Sequence, residues 1–204
     1  MYVNFFKRII DIFIGLFALP FVLFVVICCA PFIYFTDRGP IFYNANRAGK
    51  DYKPFKMFKL RSMYVNSPDI KNADGSTFNS TNDPRVTSIG RFMRKTSLDE
   101  FPQFLNVLKG DISFIGPRPK LYNPEKYKDG MPLLYQKSFK VKPGITGYAQ
   151  AYYRNSITND EKFKWDAYYA ENISFMLDVR IIFKTIKSVF LRENINTAES
   201  YKKQ

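Results

Sequence analysis

The sequence predicts an α+β, predominantly helical chain that carries an N-terminal membrane segment. Three observations predict it. Residues 9–35, IIDIFIGLFALPFVLFVVICCAPFIYF, form an apolar run whose only formal charge is Asp11. Apolar residues then recur at helical spacing over 86–108 and 160–192. Between the membrane run and those helices lie short β-forming segments broken by Gly39 and Gly49. With 204 residues, 46% hydrophobic and 18% aromatic, the chain can bury a core, and general disorder is excluded.

The apolar run comes first. A spanning helix needs roughly 20 apolar residues for a hydrocarbon core of roughly 30 Å, and this run supplies them. A cleaved signal peptide fits poorly, because the run is long, contains Asp11 and lacks a clean small-x-small cleavage site. Pro20 removes one backbone donor in mid-run, which predicts a kink there. The part before it, residues 9–19, would give only about 16 Å of helix. Lys7 and Arg8 precede the run and Arg38 follows it, so the positive-inside rule favours neither direction of a through-span. A kinked transmembrane helix and a hairpin that enters and leaves by the cytoplasmic face both satisfy these features. Asp11 needs a partner at such depth, and Arg8, three residues earlier on the same helix face, is the nearest candidate.

The remainder follows in order. PIFYNA (40–45) and PFKMFKLRSM (54–63) read as two short strands. Residues 66–84 are a polar, turn-rich loop. Val86, Ile89 and Phe92 start a helix that Thr96 and Ser97 break. Leu98, Phe101, Leu105 and Leu108 mark a second helix, with Gly110 as its stop. Residues 111–124 cannot be regular helix, since Pro117 and Pro119 fix the backbone around Arg118. PGITG at 143–147 reads as a rigid turn. Residues 160–192 read as two amphipathic helices, with Ser174 capping the second. The expected organisation is a membrane anchor over 1–36, a catalytic domain over 37–192 and a polar tail over 193–204.

Composition removes whole reaction classes. There is no His, and the only two Cys, Cys28 and Cys29, are adjacent in the apolar run. Ser-His-Asp and Cys-His mechanisms are therefore excluded, as are zinc sites and a disulfide framework. Chemistry must come from Asp, Glu, Lys, Arg, Tyr or Ser, with at most a hard metal held by carboxylates. The net charge of +13 suits anionic lipid headgroups or phosphorylated substrates better than nucleic acid, because an apolar anchor accompanies it.

One tetrapeptide stands out. Ser97-Leu98-Asp99-Glu100 opens the second helix. Taken alone it reads as a capping box, Ser at the cap and Glu three residues on. Its functional reading is a carboxylate nucleophile beside a second carboxylate for metal or proton handling.

The runs KMFKLRSM (56–63), DPRVTSIGRFMRKTSLDEFPQFLNVLKGDISFIGPRP (83–119) and KPGITGYAQ (142–150) resemble the bacterial sugar transferase family, the monotopic phosphoglycosyl transferases. The similarity covers roughly residues 3–190 and includes the start Lys7-Arg8-x-x-Asp11 before an apolar run with a mid-run Pro. With no long N-terminal extension, the chain resembles the minimal, catalytic-domain type. The resemblance implies a re-entrant helix-break-helix with both ends cytoplasmic, on the inner membrane. It implies transfer of a sugar 1-phosphate from a UDP-sugar to polyprenyl (undecaprenyl) phosphate, with release of UMP and with Mg²⁺ as cofactor, as the first membrane step of a glycoconjugate pathway. Asp99 matches the nucleophile and Glu100 its partner, the two expected at the metal. Arg118, within Pro117-Arg118-Pro119, would meet the nucleotide or its phosphate, and Lys59 and Arg85 match basic positions near the diphosphate. An aspartate nucleophile needs no His, since aspartate is ionised at neutral pH.

The sequence departs from the family at Ala151-Tyr152-Tyr153-Arg154 after Gln150, at Lys120 after the Pro-Arg-Pro element, and at Ala18-Leu19-Pro20. These changes bear on sugar choice and hairpin angle. The sugar, the prenyl length and the oligomeric state are left open. The competing class is a non-catalytic membrane-surface protein that binds anionic lipids. A third reading, glycosyl transfer that leaves the phosphate behind, would release UDP.

Overall fold

The computed structural model describes residues 2–70, 80, 83–127, 130–154 and 156–191. Helix α1 runs Lys7–Asp37, after one π-helical turn at Tyr2–Phe6. Among the described residues it is the one helix long and apolar enough to cross a membrane. Its 31 residues give about 46 Å of helix. The expected break is not a gap: both Pro20 and Pro31 lie inside a continuous helix. Both prolines are exposed, so the hydrogen bonds they forfeit are lost on the outer side and leave the packed side intact.

That packed side is one stripe. Lys7, Asp11, Gly15, Ala18, Val22, Val25, Cys29 and Ile33 are buried, at intervals of three or four residues. The stripe lies lengthwise along the rest of the protein. Asp11 meets the 113–114 backbone, Gly15 faces Leu108, and Val25, Cys29 and Ile33 pack with Leu60 and Met93. The opposite side exposes Phe13, Phe17, Phe24 and Phe35, an apolar face far too large for water.

Asp11 is not paired with Arg8. Its Oδ1 accepts from the Ser113 hydroxyl at 3.0 Å and the Phe114 N–H at 2.8 Å. Arg8 instead donates to the Val107 and Leu108 carbonyls at 2.6 and 2.7 Å. Those carbonyls lie at the C-terminal end of a helix, where a cation is favoured; the Val107 carbonyl also accepts from the Gly110 N–H at 3.1 Å. An i, i+3 relation puts two groups on one face, but stronger acceptors outbid it here.

Two small sheets organise the remainder. β1 (Ala45–Ala48) sits between β2 (Pro54–Met57) and β4 (Lys120–Leu121), antiparallel to both. β3 (Ser113–Ile115) pairs parallel with β5 (Gly144–Thr146), Ser113 opposite Gly144. The first strand thus begins at Ala45, the last residue of the predicted PIFYNA segment, and PGITG holds a strand where a rigid turn is predicted. Gly144 explains this: the Gly116 N–H lies where a Cβ would stand, so only glycine permits the close parallel pairing.

The helices follow the apolar spacing. α2 (Ser88–Thr96) is capped by Thr87, whose hydroxyl accepts from the Gly90 N–H. α3 (Gln103–Lys109) ends at Gly110 with φ 92°, as predicted. α4 (Leu133–Ser138) and α5 (Tyr148–Tyr152) are short. α6 (Asn159–Glu171) and α7 (Phe175–Phe190) are the two predicted helices; α7 is amphipathic as predicted, whereas α6 buries Asp166 beside Phe163 and exposes Tyr168, and the Ser174 hydroxyl accepts from the Leu177 N–H. The predicted polar tail over 193–204, and most of the 66–84 loop, lie outside the described residues.

Candidate active site

Asp99 and Glu100 lie in a 3₁₀ turn, Leu98–Glu100, between α2 and α3. The capping box is absent. Ser97 is left-handed, φ 59°, because it closes α2: its N–H bonds back to the Arg94 and Met93 carbonyls. Its side chain makes no cap bond, and α3 starts only at Gln103. The dyad therefore stands on a tight junction between two helices. Leu98 and Phe101 anchor that junction against the core of Leu60, Met93 and α1.

One backbone bond sets the register of the site. The Leu60 N–H donates to the Asp99 carbonyl at 3.0 Å. Leu60 is fully buried, so the adjacent Lys59 is delivered to the dyad. Its Nζ lies 2.8 Å from Asp99 Oδ2 and 3.7 Å from Glu100 Oε1. The Asp99 contact is an ion pair without hydrogen-bond alignment, and Oδ2 has no other donor. Asp99 is only 2% exposed. A buried carboxylate oxygen held by charge alone keeps its lone pairs available.

Arg118 approaches from the other side. Pro117 and Pro119 are buried and Arg118 is exposed between them. The Pro117 carbonyl is fixed by the Gly144 N–H at 2.8 Å. The Arg118 guanidinium grips both Glu100 oxygens, at 2.6 and 3.4 Å. Burial pushes the Glu100 carboxyl up, but Arg118 and Lys59 outweigh it and hold the group down at about 2. Both acids and both cations thus form one charge-balanced cluster. A diphosphate can enter it by taking Lys59 and Arg118 from the carboxylates.

Arg85 is not in that cluster. Its Nε and Nη2 bond Asp83 at 2.9 and 2.7 Å, and Nη1 bonds the Pro68 carbonyl at 3.0 Å. Asp83 raises the Arg85 pKa. Its described contacts brace the loop before α2, and none reaches Asp99 or Glu100.

Three further groups escaped sequence reading. Arg94, whose Nε donates to the Ser62 hydroxyl, feels the charge of Asp99. Arg47 on β1 feels Arg118 and Glu100. Asp166 on α6 lines a narrow cleft beside Arg118, with Lys120 at 3.5 Å. Arg94 is spaced like any basic residue on a helix face. The other two depend on long-range pairing of β1, β4 and α6.

Asp166 makes a pH prediction. Burial pushes its pKa up to about 6, against the pull of Lys120 and Lys162. In the unfolded chain an Asp titrates near about 3.9. Between about pH 4 and 6 the native state therefore keeps a proton that the unfolded state has lost, and stability falls as pH rises through that window. Asp166→Asn removes the buried charge. Thermal melts should show the variant more stable than wild type by roughly 3 kcal/mol at pH 7.5, and equal to it near pH 4. Lower stability of the variant at pH 7.5 would show that the Lys120 ion pair outweighs desolvation.

No group of three or more His, Cys, Asp or Glu side chains gathers among the described residues. A metal cage made wholly by protein is thus absent from them. Two adjacent carboxylates do fit Mg²⁺, which binds through one or two carboxylates and keeps waters and substrate phosphates as its other ligands.

Known proteins carry similar sequences. The chain is 39% identical over 190 residues to the uncharacterized sugar transferase EpsL of Bacillus subtilis, covering 88% of each. It is 38% identical over 188 residues to the UDP-N-acetylgalactosamine-undecaprenyl-phosphate N-acetylgalactosaminephosphotransferase of Aeromonas hydrophila, covering 91% of this chain and 44% of that protein. It is 37% identical over 193 residues to the UDP-glucose:undecaprenyl-phosphate glucose-1-phosphate transferase of Escherichia coli, covering 92% of this chain and 40% of that protein. The chain thus spans most of the first relative and less than half of the other two. The sequence model of the bacterial sugar transferases matches residues 2–192, and the chain belongs to that family.

Proposed function

We propose that this transferase moves a sugar 1-phosphate from a UDP-sugar to undecaprenyl or another polyprenyl phosphate, releasing UMP. The observation that carries the reading is the buried Asp99 oxygen, charge-paired with Lys59 but free of aligned donors, next to Glu100 in the grip of Arg118. The names of the relatives support the same donor and acceptor classes. Asp99 attacks the sugar-bearing phosphorus. A bond forms from Asp99 Oδ2 to phosphorus, and the bond from phosphorus to the bridging oxygen breaks, its electron pair leaving with UMP. The polyprenyl phosphate then attacks the aspartyl phosphosugar and frees Asp99. Lys59 and Arg118 offset the charge on the transferring group. Asp99 and Glu100 would hold Mg²⁺, which supplies further charge neutralisation on the phosphoryl oxygens.

The setting of α1 supports a monotopic anchor held at one leaflet, with the catalytic part on the cytoplasmic face of the inner membrane; the unbroken helix lends no support to a re-entrant break at Pro20. Both of its ends bond the same body of the protein: Lys7 pairs with Asp178 at 2.5 Å, and Asp37 pairs with Arg61 at 2.6 Å. A helix crossing the bilayer would carry one end away. Its exposed aromatic face, with cations at both ends, suits a helix that lies in one leaflet along its length. A cytoplasmic site at that surface would meet a lipid phosphate at headgroup depth, at the first membrane step of glycoconjugate assembly.

Nucleotide release tests the reading. Purified protein in nanodiscs with undecaprenyl phosphate, Mg²⁺ and a panel of UDP-sugars should release UMP from at least one donor, dependent on acceptor for multiple turnovers. Release of UDP would instead mean glycosyl transfer. Binding to anionic vesicles with no nucleotide released from any donor would favour a non-catalytic lipid-binding protein.

A further inference from the structure

A groove runs between the first helix of the chain and the last. Ile10 and Ile14 of α1 line one side, Val179 and Ile182 of α7 the other, and Phe114 and Ile115 of β3 lie between them. The spacing on each helix is three or four residues, so each side is a single helix face. One end is closed by Phe175, whose ring meets Tyr2 edge-on at 5.9 Å. The polar side chains around the groove are already bonded. Lys7 and Tyr2 donate to Asp178, and Asp11 accepts from Ser113 and Phe114. What the groove offers a ligand is therefore apolar surface. Its flanks are apolar too: Phe13 and Phe17 on α1 and Met176 and Phe183 on α7 are all exposed. A groove with such flanks on both sides faces lipid rather than water.

The groove lies close to the dyad. Ile115 lines it, and three residues on, Arg118 grips Glu100 at 2.6 Å. Three residues of extended chain span at most about 10 Å. α1 makes the same connection on its own side. It passes from the groove at Ile10 and Ile14 to the core of Leu60 and Met93, which supports the 98–100 turn. The chemistry of the two substrates then decides the occupant. A UDP-sugar is polar throughout, whereas the acceptor carries an apolar chain that begins at its phosphate. With that phosphate at Asp99, the first few isoprene units bridge the gap and the next enter the groove. We propose that the groove between α1 and α7 holds the isoprenoid tail of the acceptor, close to its phosphate. This rests on the function proposed above. Burying the tail supplies acceptor affinity and fixes the depth at which its phosphate meets the aspartyl phosphosugar.

Photolabelling reads the tail directly. Undecaprenyl phosphate with a diazirine a few isoprene units from its phosphate, photolysed on wild type in nanodiscs, should label residues 10–14 and 175–182. Unmodified undecaprenyl phosphate should abolish that labelling, and excess phosphatidylglycerol should leave it. Equal loss with phosphatidylglycerol would make the groove a general acyl-chain site and overturn the assignment, as would labelling confined to other segments. A variant adds a kinetic arm. Val179→Trp fills the groove, so the sugar-phosphate adduct should form from donor alone at the wild-type rate. The KM for undecaprenyl phosphate should rise about tenfold, the cost of excluding a few buried carbons. A wild-type acceptor KM in that variant would overturn the assignment. If Val179→Trp forms no adduct, Ile14→Phe, a smaller filling, takes its place under the same criteria. If wild type forms no adduct and releases no UMP with any donor, the proposed function itself falls, whereas the photolabelling still reports on the groove.

Discussion

Asp99→Asn is expected to lower UMP release by roughly 10⁴-fold, the scale on which losing a covalent nucleophile acts. The amide occupies the same volume and can still meet Lys59, so the fold and donor binding should persist. The charge balance does change. Lys59 at present divides its charge between Asp99 and Glu100. With Asp99 neutral it shifts toward Glu100, so the variant should bind UDP at least as well as wild type. Two measurements separate chemistry from binding. Intact mass spectrometry after donor is added without acceptor should show a sugar-phosphate adduct on wild type and none on Asp99→Asn. UDP titration should show comparable affinity for both. An adduct on the variant would move the nucleophile elsewhere, and Glu100 would be the next carboxylate to replace. Retained UMP release without an adduct would point to direct transfer between the two substrates.

The same residues show what a sequence can and cannot reveal. The Asp-Glu pair, the Pro-Arg-Pro element and Lys59 were legible through the family resemblance of the runs that carry them, and the structure brings all three together. The apolar run and the amphipathic α7 were legible because periodicity is local. What failed was partly non-local and partly a choice between competing local partners. Ser97 fits a capping box in sequence, yet it closes the helix before it. Arg8 sits three residues from Asp11, yet the end of α3 captures it. PGITG looks like a turn until Ser113 and Ile115 pair with it from 30 residues away. Arg85 looks like a free basic position, but Asp83 two residues earlier claims it. The outcomes at Arg8 and PGITG were decided by partners whose proximity only the fold creates, against which local propensity is a weak prior, whereas those at Ser97 and Arg85 turned on neighbours within four residues.

Asp178→Ala is expected to have the largest effect on stability, because one carboxylate holds both ends of the chain together. Asp178 on α7 is buried and accepts from three groups: Lys7 Nζ at 2.5 Å, the Tyr2 hydroxyl at 2.7 Å and the Tyr169 hydroxyl at 2.7 Å. Lys7 and Asp178 are 8% and 3% exposed, so removing the acid leaves an ammonium buried without a counter-charge. Breaking such a pair from one side costs about 3–5 kcal/mol. For a chain of this length that is a fall of roughly 10 °C in melting temperature. Tyr169→Phe removes one neutral donor and should cost about 1 kcal/mol. The decisive variant removes both charges. Lys7→Met with Asp178→Leu should recover much of the loss, since apolar replacements of a buried pair are often neutral or better. Hydrogen exchange should localise the effect in Asp178→Ala, with faster exchange over the first turns of α1 and the start of α7 and no change at the 98–100 turn. Exchange that rises first around Asp99 would instead mean that the N-terminal clamp and the active site form one cooperative unit, bridged by Asp11 and the 113–114 backbone. A wild-type melting temperature for Asp178→Ala would show that the apolar stripe of α1 alone fixes the helix to the catalytic part.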